Sequence, residues 1–139
     1  MGDIRIFSSR EPGIPAEELE EWKGVFPRIC CEYDRLADDR IVVRLPRAKN
    51  RFLRKVLNLF SRSPWVRIKL DERGSLVWQL CDGKHTVEQI SQVLENRFGA
   101  QVAPALERTA LLLRSMYRYG MVELYRVRPH AAPDREKHP

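Results

Sequence analysis

Cys81 and His85 stand four residues apart around Asp82-Gly83, and a thiol beside an imidazole can act as nucleophile and base. Cys81, however, falls where a helix is expected to end. There the negative end of the helix dipole raises a thiol pKa and suppresses the thiolate. Cys81 is therefore read as a small buried residue that lets two helices approach, and Cys30-Cys31 as strand packing. The three cysteines are odd in number, two are adjacent and no C-x-x-C occurs, which argues against a disulfide framework and a zinc site. Glu17-Glu18 and Glu20-Glu21 are adjacent carboxylates that point apart on a helix, with no His or Asp to complete a metal site. Phosphate-loop, dinucleotide, zinc-protease and hydrolase signatures are all lacking. The reading is that the chain is not an enzyme and has no catalytic residue, metal or cofactor.

A second kind of chemistry lies in the charge. The 139 residues carry a net charge of +6, but nine basic residues and no acidic one fall between Arg44 and Lys69. The rest of the chain holds 16 basic against 19 acidic residues, so it is mildly acidic. Such a basic segment can meet phosphates, an anionic membrane or an acidic polypeptide. The longest run free of charge, Phe98 to Leu106, has nine residues. A transmembrane helix needs about 20 apolar residues, so no membrane span is expected. The start lacks a basic n-region followed by an apolar run. With the cysteine usage, this places the protein in the cytoplasm.

These residues need elements to hold them. Ala16–Lys23 reads as a short acidic helix after Pro15, Arg28–Tyr33 as a strand, and Arg40–Leu45 as a β-branched strand. Phe52, Leu53, Val56, Leu57 and Phe60 share one helical face, opposite Arg51, Arg54 and Lys55. Trp65 to Leu70 alternates in the strand period. Asp71 caps a helix that buries Trp78 and closes at Asp82-Gly83. Thr86 and Gln89 form a capping box for the next helix, which Gly99 closes. The last helix starts at Pro104 and stops at Gly120, and Met121–Val127 reads as a closing strand. The order is that of an α+β, winged helix-turn-helix-like domain. A small antiparallel three-stranded sheet packs on a three-helix cluster, with an extra basic helix inserted between strands. The expected organisation is an extension over 1–28, a domain over 29–127 with the basic amphipathic insertion at 46–63, and a disordered tail over 128–139.

The run Leu70-Asp71-Glu72-Arg73-Gly74 through Trp78, Leu80-Cys81-Asp82-Gly83 and Thr86-Val87-Glu88-Gln89-Ile90 resembles the PqqD family. Leu112-Leu113, Met116 and Gly120-Met121-Val122 are similar to that family's last helix and its exit. The resemblance implies a peptide-binding adaptor rather than an enzyme. Such an adaptor binds the leader of a ribosomally made precursor peptide and presents it to a modifying enzyme, often of the radical-SAM type. It also implies that the leader adds as a strand beside the third strand and the last helix. On this chain the peptide-binding candidates are Trp65, Val66, Arg67, Ile68 and Lys69, flanked by Arg108, Leu111, Leu112 and Ser115. Arg67 and Lys69 would face acidic leader side chains. Proline at Val66 or Ile68 would remove a ladder donor and abolish binding.

The chain departs from the compact family pattern in its first 28 residues and in the 46–63 insertion. Arg47, Lys49, Arg51, Arg54 and Lys55 on that insertion are candidates for docking a partner. The bland alternative is a structural helix with solvated charges. The rival function is a DNA-binding winged-helix regulator. Its candidate recognition helices place few basic residues in their first turns, so no specific nucleic acid is expected. Exposed strand edges also permit a homodimer.

Overall fold

The computed structural model describes residues 13–46 and 65–129. The elements are α1 (Ala16–Lys23), β1 (Phe26–Ile29), β2 (Glu32–Arg35), β3 (Ile41–Pro46), β4 (Trp65–Lys69), α2 (Glu72–Leu80), α3 (Val87–Phe98), α4 (Ala105–Arg118) and β5 (Val122–Tyr125). The expected basic helix and the docking candidates Arg47, Lys49, Arg51, Arg54 and Lys55 lie outside the described residues, as does the tail from residue 130.

Local chemistry accounts for the helix ends. α1 follows Pro15 and carries Glu17 and Glu18 in its first turn and Lys23 in its last, as the helix dipole favours. The Gly74 N–H donates to Asp71 Oδ1 at 2.7 Å, which caps α2. At α3 the Gln89 N–H donates to Thr86 Oγ1 at 3.2 Å, and the Thr86 N–H donates to Gln89 Oε1 at 2.8 Å. That reciprocal pair is the capping box read in the sequence.

Strands β2, β3 and β4 form an antiparallel sheet in that order, with β3 central. Its inner face is apolar: Ile41, Val43 and Leu45 of β3 and Val66 and Ile68 of β4 are all buried. They meet Val77 and Trp78 of α2, Ile90 and Leu94 of α3, and Leu112, Leu113 and Met116 of α4 in one core. Tyr33 of β2 stands edge-on to the buried Trp78, with ring centroids 5.5 Å apart. The end of the sheet is tied to α2, because the Ile41 N–H donates to Ser75 Oγ at 3.0 Å.

Arg28–Tyr33 is not one strand. β1 ends at Ile29 and β2 begins at Glu32, with Cys30-Cys31 at the corner. The two pieces have different partners. β1 pairs with β5 in a separate two-stranded ladder, and β2 pairs with β3. The Ile29 N–H also donates to the Cys81 carbonyl at 3.1 Å, and the Gly83 N–H to the Pro27 carbonyl at 2.8 Å. β1 is thus held on both sides, and the chain must turn before it can reach β3. The closing strand is correspondingly shorter than Met121–Val127 and does not join the three-stranded sheet. Residues before Ile29 contribute to the core as well: Ile14 and Trp22 are buried in it.

Candidate functional site

The functional question comes down to how β4 sits in its sheet. The Leu70 N–H donates to the Ile41 carbonyl at 2.8 Å. Register pairs Val43 with Ile68 and Leu45 with Val66. In an antiparallel ladder, bonded pairs alternate. The main-chain groups of Val66 and Ile68 therefore point to β3, and those of Arg67 and Lys69 point away from it. The opposite side of β3 agrees, since the Leu36 N–H donates to the Arg40 carbonyl at 2.8 Å, which places Val42 and Arg44 toward β2. Among the described residues no strand pairs with β4 on its far side.

Side chains follow the same alternation. Val66 and Ile68 are buried in the core, Trp65 and Arg67 are exposed and Lys69 is half-buried. The outer face of the sheet is charged in an ordered way. Arg44 pairs with Glu32 at 3.3 Å and with Asp34 at 3.4 Å, both on β2. Arg44 also stands directly opposite Arg67 on β4. Among the described residues Arg67 and Lys69 have no carboxylate within ion-pair reach. Sequence reading missed Glu32, Asp34 and Arg44. The signal was present in Glu32-Tyr33-Asp34, but only the register shows which cation these carboxylates neutralise.

Proline at Val66 or Ile68 has a different meaning from the one expected. Those amides serve the β3–β4 ladder, so proline there breaks the sheet itself. The amides that point away from β3 belong to Arg67 and Lys69.

The α4 candidates divide by burial. Leu112 and Ser115 are buried, Leu111 is half-buried and Arg108 is exposed. The Arg108 guanidinium donates to the Gln101 carbonyl at 2.8 Å, which anchors it to the turn before α4.

The thiols are poor nucleophiles. Burial, reinforced by the neighbouring Asp82 carboxylate, pushes the Cys81 thiol far up. Burial pushes Cys31 up to about 12, with Cys30 adding to the effect. His85 Nδ1 lies 3.0 Å from both Asp82 carboxylate oxygens, in a turn where the Lys84 and His85 N–H groups also donate to Asp82 Oδ1. The imidazole thus braces the turn and does not face Cys81 as a base. Among the described residues no cluster of three or more His, Cys, Asp or Glu could hold a metal ion, and no helix is long and apolar enough to cross a membrane.

A family model described as "Coenzyme PQQ synthesis protein D (PqqD)" matches residues 63–122, from just before β4 to the start of β5. No curated protein and no solved structure matches the chain.

Proposed function

We propose, for a chain whose residues 63–122 form a PqqD-family segment, that it is a peptide-binding adaptor of peptide-derived natural-product biosynthesis. Proteins of this family are non-catalytic accessory proteins that bind a precursor peptide for a modifying enzyme. In our reading the leader of the precursor adds as an extended strand to the outer edge of β4, and a radical-SAM type enzyme receives it. The observation that carries this reading is the orientation of β4. The Arg67 and Lys69 amides face outward, while Val66 and Ile68 fix the strand to the core. An edge of that kind binds a peptide through main-chain hydrogen bonds and needs no cofactor.

The test uses a labelled leader from a small precursor encoded beside this protein. Amide hydrogen exchange should slow at Arg67 and Lys69 when the leader binds. Arg67→Pro removes one outward donor at an edge position where proline is tolerated, and should weaken binding about tenfold or more with the fold retained. Leader binding without protection of either amide would place the site elsewhere.

A further inference from the structure

The outer face of the sheet can be read as rows of directly opposed residues. One row runs Glu32, Arg44, Arg67 from β2 to β4. Its charges are negative, positive, positive. Arg44 is drawn toward the carboxylates of β2, and Arg67 is left beside a like charge at the end of the row. Opposed like charges destabilise a sheet, and a carboxylate across from Arg67 would relieve that. The next row on this face runs Asp34, Val42, Lys69. Val42 is buried, so the only cation of that row also lies on β4. The row between them belongs to the inner face: Tyr33, Val43, Ile68. Val43 and Ile68 are fully buried, so the position beyond Ile68 favours an apolar side chain.

We propose that the outer edge of β4 selects a strand carrying an acidic–apolar–acidic triplet. The carboxylates would stand opposite Arg67 and Lys69, and the apolar residue opposite Ile68. This inference rests on the strand-addition reading above and specifies its ligand. The sheet already holds such a triplet at its other edge: Glu32-Tyr33-Asp34 of β2 sends two carboxylates outward to Arg44 and turns Tyr33 inward onto Trp78. The added strand repeats on β4 what β2 does on β3. Because side chains alternate, the spacing of the acids matters as much as their number. Adjacent glutamates would send one carboxylate to the apolar inner face.

The experiment compares synthetic peptides by fluorescence anisotropy. One alternates glutamate with valine. A second has the same composition with the glutamates in one block. A third alternates lysine with valine. The alternating glutamate peptide should bind about tenfold or more tighter than the other two. The double variant Arg67→Glu/Lys69→Glu should prefer the lysine peptide, and Arg67→Gln/Lys69→Gln should lose the preference without reversing it. Circular dichroism checks that each variant is folded, and the glutamine pair decides the matter if charge reversal impairs folding. Equal affinity for the alternating and blocked peptides would overturn the inference, as would a preference unmoved by both variants. If those negative results came with leader-induced protection of the Arg67 and Lys69 amides, strand addition would stand and the triplet would fall. Protection absent with every peptide, the leader included, would remove both. Sedimentation of the free protein supplies the remaining outcome: self-association abolished by the glutamine pair would uphold the triplet, which β2 of a second copy carries, and overturn the leader as its occupant.

Discussion

Single residues decide whether this surface does chemistry or recognition. All three thiols are held above their ordinary range. For Cys30 the main cause is burial, then the Glu123 carboxylate, with Arg28 opposing. Cys30 is exposed, Cys31 half-buried and Cys81 buried. A thiol reagent at pH 8 should therefore modify Cys30 slowly in the native protein and reach Cys31 and Cys81 only in denaturant. Rapid native labelling at Cys81 would contradict the packing described here. Asp82 offers a pH-dependent counterpart. Burial by itself raises its pKa, but the His85 ring, the Lys84 and His85 N–H groups and the charge of His85 outweigh that, and the carboxyl lies below the ordinary 3.8. A carboxylate depressed in the folded state adds stability above its unfolded pKa and loses it as pH falls through the folded value. Asp82→Asn keeps an oxygen for the two amides and removes the charge. The unfolding free energy of the variant from urea titration should lie below that of the parent at pH 7, by less than about 1 kcal/mol in so exposed a site. The gap should close below about pH 4, as both forms become neutral. A gap that persisted at lower pH would mean the carboxylate charge is not its source.

At the scale of elements, what could be read in advance depended on how local its cause is. Helix ends are set by residues within one turn, so Asp71, Thr86-Gln89 and Pro104 marked α2, α3 and α4 correctly. Thr86→Ala should lower stability by about 1 kcal/mol in urea titration, because it removes half of a reciprocal cap. An unchanged midpoint would show that tertiary packing alone fixes the start of α3. Strand partners are set at long range. Nothing in Arg28 to Tyr33 says that its first half pairs with β5, nearly a hundred residues later in the chain, and its second half with β3. The candidate site divides along the same line. Alternation placed Arg67 and Lys69 on the outer face and Val66 and Ile68 on the inner one. It could not say which amides face away from β3, because that phase is fixed by the register with β3, here through the Leu70 to Ile41 bond. Gly83 is a local exception with a distant partner. Its φ is +77°, and a Cβ there would lie 3.1 Å from Pro129 Cγ. Gly83→Ala should cost about 1 kcal/mol or more, from left-handed strain and from displacing the chain beyond β5.

The whole molecule is more than the segment that carries the family signature. Expectation placed an extension over 1–28 beside a domain over 29–127. In the structure Ile14 and Trp22 are buried against the same core as Ile90, Leu94 and Leu113. The Val25 carbonyl accepts from the Val87 N–H at 2.9 Å at the head of α3, and the Pro27 carbonyl accepts from the Gly83 N–H at 2.8 Å. Arg28 bonds both Glu123 and Tyr125 of β5, at 3.3 and 2.8 Å. A fragment spanning 29–127 would lose the Trp22 side chain, whose truncation alone should cost about 3–5 kcal/mol. It would also expose two amides and unzip β5 from most of its partner strand. Domains are stable by about 5–15 kcal/mol in all, so these losses are of the size of the total. The fragment is therefore expected to lack a cooperative urea transition, and Trp22→Ala in the full chain to shift the midpoint strongly while leaving the transition cooperative. A fragment that unfolds cooperatively at the parent midpoint would make the first helix an appendage. Failure of the fragment would give residues 13–28 a structural role, since with them go both α1 and most of β1, the strand that pairs with β5.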